Sequence, residues 1–254
     1  MVTLIGAGSG RWETLSAEAQ AAVRSAALVF GDKRLLAGLP EGCTARRLAL
    51  YKPANILEVL AQAPGQDAAV LYSGDTGFYS GASGLITPLR ALGIPARILP
   101  GISSIQLLSA ALGRPWQEWN LVSAHGRACD PVAECMANKA VFFLTGGDET
   151  PASLCGRLTA ARLGRAHATV GENLGTAGEA IRYGSAEELA GQNFAPLSVL
   201  LVENLELPVF RAPGLPDDAF IRGDVPMTKQ EVRAAALAKL GVKPADTLWD
   251  VGAG

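Results

Sequence analysis

Charge is what this sequence has little of. Only 18% of its 254 residues are charged and the formal balance is −2, so no nucleic acid or anionic membrane is implied as an obligatory partner. Cysteine is scarce as well. Cys43, Cys129, Cys135 and Cys155 form no C-x-x-C pair and have no histidine cluster beside them, which argues against a zinc site, a thioredoxin-type centre or a disulfide scaffold. The expectation is therefore no bound metal. No basic leader precedes Val2, and no stretch approaches about twenty uninterrupted apolar residues. The default expectation is a cytoplasmic, reduced protein with no membrane partner.

Two nucleotide-binding signatures are also missing. The P-loop pattern G-x-x-x-x-G-K-[ST] occurs nowhere, and the glycine loop Gly6-Ala7-Gly8-Ser9-Gly10 fails the dinucleotide fingerprint because Arg11 stands where its last glycine belongs. What the chain does have is an apolar fraction of 49%, enough for a sizeable core, and abundant glycine and proline (29 and 15), which suit many short connections.

The most informative stretch is residues 70–80, Val-Leu-Tyr-Ser-Gly-Asp-Thr-Gly-Phe-Tyr-Ser. An apolar strand over 68–72 stops abruptly in a loop with Gly74, Gly77 and one fixed carboxylate, Asp75. Such a loop can bring bare backbone N–H groups to a ligand; equally, Asp75 can simply form an Asx turn with its own backbone. Two further strands, 2–5 and 96–99, end the same way, in Gly6–Gly10 and in Pro100-Gly101-Ile102-Ser103-Ser104.

Around these, spacing predicts helices over 17–27, 33–39, 56–63 and 85–92, another from the third loop through 111, and strands over 28–30 and 46–50. Strands alternating with helices argue a mostly parallel sheet covered on both faces, with ligand loops at the carboxyl ends of its strands. The three loops should converge there. They offer backbone donors, hydroxyls and one acid but no lysine, which suits a neutral or cationic ligand with polar edges.

Gly113, Pro115 and two tryptophans interrupt the pattern near 112–119, the expected domain boundary. A second set follows. Strands over 121–123, 140–144 and 166–170 run into Ala124-His125-Gly126-Arg127, Thr145-Gly146-Gly147-Asp148 and Gly171-Glu172-Asn173-Leu174-Gly175. A helix is expected from Pro151 to 162, a capped turn at Ser185 with Glu188, and a strand over 198–203. Pro208, Pro213, Gly214 and Pro216 read as a linker. Thr228 with Glu231 is a second capping box, opening a helix to 240, and 247–251 reads as a strand entering Gly252-Ala253-Gly254. That tail looks like the start of a domain cut short.

Together these motifs resemble one family, the tetrapyrrole methylases that use S-adenosylmethionine, over residues 1–205. The likeness is carried by residues 2–10, 72–81, 100–104 and 140–147. Within the family, residues 123–127 and 171–175 look like the cobalamin-pathway branch that methylates C-5 of precorrin-6Y. Residues 226–254 are similar to the opening of the partner enzyme that methylates C-15 and decarboxylates the C-12 acetate, and the two are often fused. The resemblance implies an α/β fold of two domains, 1–114 and 115–206, with the methyl donor in the cleft between them, residues 207–254 beginning a second, class I methyltransferase module, and a homodimer. It implies donor contacts at Ser73, Gly74, Asp75, Phe78, Ser103, Ser104, Leu144 and Leu174. Arg127 is the expected contact for a substrate carboxylate, and His125 and Glu172 the expected catalytic or orienting residues. Ser9 and Thr76 stand where the family often carries proline. A relative on the cobalt-containing, oxygen-independent branch, or acting on another tetrapyrrole, would keep the same loops. So would a module that binds the donor without turnover.

Overall fold

The computed structural model describes residues 1–204, 215–217, 226–241, 247–249 and 251. They divide into two compact units, Met1–Leu205 and Glu206–Gly254.

In the first unit, short apolar runs form strands because they are buried on both faces, the signature of parallel sheets. β1 (Val2–Gly6) is the centre. Its alternate residues face opposite ways: Val2 and Leu4 join Phe30, Val70 and Leu85 in one core, whereas Ile5 joins Val29, Leu71 and Val23 in another. β2 (Leu28–Phe30), β3 (Arg46–Leu48), β4 (Ala68–Tyr72) and β5 (Ala96–Leu99) complete a sheet of order β3-β2-β4-β1-β5, parallel throughout. The covering helices are α1 (Ala17–Ser25), α2 (Lys33–Ala37), α3 (Pro53–Gln62) and α4 (Ala82–Ala91). Ser16 and Asp32 cap α1 and α2 by accepting backbone N–H groups of Ala19 and Leu35. Helix α4 starts a turn before the expected 85 and carries Pro88 inside it.

α5 (Ser104–Leu112) follows β5 but buries Ile105 and Leu108 with Trp119, Phe142 and Val199 of the second half. One core is thereby shared between the two sheets.

The second sheet is β6 (Asn120–Ser123), β7 (Ala140–Leu144), β8 (His167–Glu172), β9 (Ala180–Ser185) and β10 (Ser198–Glu203), in the order β6-β7-β10-β8-β9. Strand direction differs from the first sheet: only β6 and β7 are parallel, and the other three pairings are antiparallel. The connection from β8 to β9 spans seven residues, 173–179, too short for a parallel crossover. Helices α6 (Pro131–Ala137), α7 (Pro151–Ala160) and α8 (Ala186–Leu189) cover one face. Sequence spacing misses α6, although Asp130 caps it and Pro131 occupies its first turn. The capping box at Ser185 and Glu188 forms as expected.

In the second unit, α9 (Gln230–Leu240) ends at Gly241, which is left-handed at φ 59°. Lys229 precedes it and no side chain caps it, so the expected box at Thr228 and Glu231 is not made; Thr228 instead accepts from Arg233 through its backbone oxygen. Of the strand expected over 247–251, residues 247–249 carry no regular structure, residue 251 is in a turn, and residue 250 lies outside the described residues. Pro208, Pro213, Gly214 and the glycines at 252 and 254 lie outside the described residues, and Pro216 lies inside them.

Candidate functional site

β4, β1 and β5 are neighbours, so their three glycine loops emerge side by side at one edge of the sheet. The loops are locked together by backbone. Gly8 and Gly74 exchange N–H···O bonds of 3.0 and 2.8 Å, and Ala7 donates to Tyr72 O at 2.7 Å. Gly74 sits at φ 68°, a left-handed conformation that side chains disfavour. Closer still is Gly101: a Cβ there would lie 2.3 Å from Gly6 O and 2.4 Å from Gly74 O. The sequence needs glycine here because three backbones meet without room for a methyl group.

Asp75 ties the same loops. Its Oδ2 accepts the Gly77 N–H at 2.9 Å, an Asx turn, and its Oδ1 accepts the Gly101 N–H at 3.0 Å. The two readings open from sequence are therefore not exclusive, because the turn-forming carboxylate also lines a cavity. Ser9 and Thr76 use their hydroxyls as ties. Ser9 Oγ donates to Gly175 O at 3.1 Å, from first sheet to second, and Thr76 Oγ1 donates to Leu99 O at 3.3 Å.

Opposite these loops, β7 and β8 end and β10 begins, so the antiparallel pairing still delivers three segments to one edge. Between the two walls lies a cavity of 380 Å3. That volume is in the range of small-molecule sites, about 300–1,000 Å3. Its lining includes all eight expected donor contacts: Ser73, Gly74, Asp75, Phe78, Ser103 and Ser104 on the first side, Leu144 and Leu174 on the second. Ser103 is fixed by the Gln106 side chain, which accepts its N–H at 2.7 Å. Tyr72 also lines the cavity; its hydroxyl has no hydrogen-bond partner among the described residues, and burial pushes its pKa up to about 12, so it stays a neutral phenol.

His125 lines the cavity too. Its Nδ1 lies 3.3 Å from Thr145 O, and since a carbonyl only accepts, Nδ1 is the donor of that contact. The ring rests on Gly146, where a Cβ would come within 1.8 Å of Nδ1. Arg127 lies outside this cavity, in an adjoining polar pocket of 440 Å3 with Asn120, Asp130 and Glu134. Tyr79 lines both, with the Arg127 guanidinium 5.9 Å from its ring centroid. Tyr79 holds φ 48°, unusual for a bulky residue, and its hydroxyl donates to Leu121 O at 3.0 Å.

Glu172 is not part of the lining. Strand alternation puts Gly171 and Asn173 on the cavity face and turns Glu172 to the face shared by Ala168 and Val170. There it pairs with Arg182 Nε at 2.7 Å and accepts the Ala195 N–H at 2.6 Å. These contacts tie it to the segment that carries Pro196 and Leu197 into the cavity wall, away from the lining where a catalytic residue is expected.

Sequence reasoning missed Arg34 and Tyr79. Arg34 reaches the cavity from α2, just after β2, whose carboxyl end points to the same edge as the glycine loops. Among the described residues no cluster of three or more His, Cys, Asp or Glu is placed to hold a metal ion, and no helix is long and apolar enough to cross a membrane.

The lining combines apolar side chains, backbone and hydroxyl groups, one carboxylate and one guanidinium, the mixture found in small-molecule sites. The family model for tetrapyrrole (corrin/porphyrin) methylases matches residues 1–190, and that for a precorrin methyltransferase domain matches 218–254. The chain is 33% identical to a precorrin-6Y C(5,15)-methyltransferase [decarboxylating] of Sinorhizobium sp, over all of this chain but 62% of that protein. It is 31% identical to a cobalt-precorrin-7 C(5)-methyltransferase of Salmonella typhimurium, covering 72% of this chain and 90% of that one. Uroporphyrin-III C-methyl transferase from Thermus thermophilus, solved with S-adenyl homocysteine, shares the fold at a TM-score of 0.64 and 21% identity, covering 80% of this chain and 96% of that one. The chain belongs to the tetrapyrrole methylase family.

Proposed function

We propose that this chain is an S-adenosylmethionine-dependent C-methyltransferase of corrin biosynthesis, acting at C-5 of precorrin-6Y. The observation that carries the reading is the cavity itself: three glycine loops on one wall, a second wall that sets Leu144, Leu174 and Val199 beside His125 and Asn173, and Asp75 as its one carboxylate. When bound, the donor supplies a methyl group already activated by its sulfonium.

The protein's own work is then binding and alignment, bringing the reacting atoms to about 3–3.5 Å in line. Phe78, Leu107, Leu144 and Leu174 offer apolar surface for the donor's ring, and Asp75 offers its carboxylate to the cation. His125, held against Thr145 O through Nδ1, is the residue we assign to orienting the acceptor or taking a proton. Arg127, braced by Tyr79 in the adjoining pocket, is assigned to an acceptor carboxylate.

The Salmonella relative supports C-5 as the site, since most of its length aligns with this chain. Its name also favours a second reading, a cobalt-containing acceptor. The match over 218–254 supports assigning those residues to a second module, as in the Sinorhizobium protein's double activity. A cytoplasmic homodimer goes with this proposal, and light scattering of the purified chain tests the dimer.

The decisive experiment supplies labelled donor with precorrin-6Y or its cobalt counterpart. One methyl per acceptor is expected, and the accepted substrate separates the two readings. Two methyls would refute single-site transfer. Donor binding without transfer to either acceptor would leave a donor-binding module instead.

A further inference from the structure

Arg34 and Asp75 are the lining's one Arg and one Asp, and it holds no Lys or Glu. Asp75 has partners for both oxygens, the N–H groups of Gly77 and Gly101. Arg34 does not have its counterpart. Its Nη1 donates to Ser9 O at 2.5 Å and its Nη2 to Ser73 Oγ at 2.9 Å. Among the described residues no carboxylate lies within ion-pair distance of it.

A guanidinium has five N–H donors, and two are used. The two bonds come from different terminal nitrogens and go to different loops, so the planar fork is held in one orientation. Bridging two loops needs only neutral donors. A half-buried cation without a counter-anion carries a desolvation cost that such a bridge does not explain. A fixed fork is, however, the geometry that receives a carboxylate in paired N–H···O bonds.

We propose that Arg34, with Ser73, anchors a carboxylate of the ligand held in the cavity. The inference rests on the methyl-transfer reading above. Two reactants in that reaction carry such a group: the amino-acid end of the donor, and the acid side chains of the tetrapyrrole.

Calorimetry on the full chain with S-adenosylhomocysteine and with 5′-methylthioadenosine, which lacks the amino-acid carboxylate, separates them when combined with the acceptor KM. In Arg34→Gln and Arg34→Ala, a loss of about 10- to 100-fold in S-adenosylhomocysteine affinity with methylthioadenosine unchanged assigns the donor carboxylate. A similar rise in acceptor KM with both nucleoside affinities unchanged assigns the acceptor. Arg34→Lys should recover part of either loss, since it keeps the charge without the fork.

Equal loss of both nucleosides would mean that the loops have moved and that Arg34 is only a tie, overturning the proposal. So would variants that match the unsubstituted chain in all three measurements. If the unsubstituted chain binds neither nucleoside, the donor reading itself falls and takes this one with it.

Discussion

Replacing Gly101 with alanine adds one carbon at the most crowded point of the structure. The new Cβ would lie 2.3 Å from Gly6 O, 2.4 Å from Gly74 O and 2.5 Å from the Gly6 carbonyl carbon. These are backbone atoms of two neighbouring strand ends, so no side-chain rotation relieves the contact. Either the third loop withdraws, breaking the Asp75 bond to the Gly101 N–H, or the first two part. Overpacking of this kind typically costs about 1–3 kcal/mol, and a broken bond to a carboxylate adds about 1.5–3 kcal/mol. At about 2–4 °C per kcal/mol for a unit of this size, melting should fall by about 5–20 °C. Donor affinity should fall with it, because the same loops line the cavity. Gly74→Ala is the control: its nearest contact is 3.7 Å, and its penalty is the positive φ of 68° instead. Asparagine tolerates that conformation, so Gly74→Asn should recover stability relative to Gly74→Ala, whereas Gly101→Asn should be worse than Gly101→Ala. Thermal melts and S-adenosylhomocysteine titrations of the four variants test this. A Gly101→Ala protein with unchanged melting and unchanged affinity refutes the steric argument.

Asp75→Ala removes the acceptor of two loop N–H groups and should weaken donor binding about 10-fold or more by calorimetry; unchanged affinity would leave Asp75 as a turn former only. Glu172→Ala leaves the buried end of an ion pair empty, but Arg182 is 45% exposed, so a loss of about 1–3 kcal/mol is expected, with kcat of the folded fraction retained. A large fall in kcat with normal stability would restore a catalytic role for Glu172. Tyr79→Phe removes the bond to Leu121 O while keeping the ring; acceptor KM should rise and donor affinity should hold, and the reverse pattern would contradict a position at the acceptor side. Burial pushes the thiols of Cys135 and Cys155 from an ordinary 9.0 up to about 12. The folded chain keeps those protons while the unfolded chain loses them, so stability should drop between pH 9 and 12, by about 1.4 kcal/mol per pH unit per thiol. Alkylation at pH 8 should accordingly label no more than Cys43 and Cys129 until denaturant is added.

The first sheet was legible because its information is local. An apolar run, a glycine loop and an amphipathic helix each leave a mark in sequence, and three such units in order imply neighbouring loops at one edge. Strand direction in the second sheet leaves no such mark. β8 and β10 are buried on both faces and read alike in either direction; only the short 173–179 connection carries the sign of antiparallel pairing. At Glu172 one step of strand parity decides the placement, since its neighbours Gly171 and Asn173 face the cavity and it does not. Arg34 was invisible because its role depends on where α2 sets it down beside Ser9 and Ser73, a tertiary fact without a local pattern.

The ties at Ser9 and Thr76 order their loops by a route different from the one proline would use. Proline orders a loop by fixing one backbone angle in advance, in the unfolded chain as well as the folded one. Serine and threonine leave that angle free, and here they order the loop only once the partner carbonyls, Gly175 O and Leu99 O, are in position. Order in the first loop then depends on the second sheet, because Gly175 follows β8. Arg34 reinforces the dependence by binding the Ser9 carbonyl from the other side. The cavity wall is therefore not completed by the first sheet alone: its glycines permit the close approach of three backbones, and bonds from the second sheet and from α2 select the one arrangement in which Asp75, Ser73 and Arg34 face the same space.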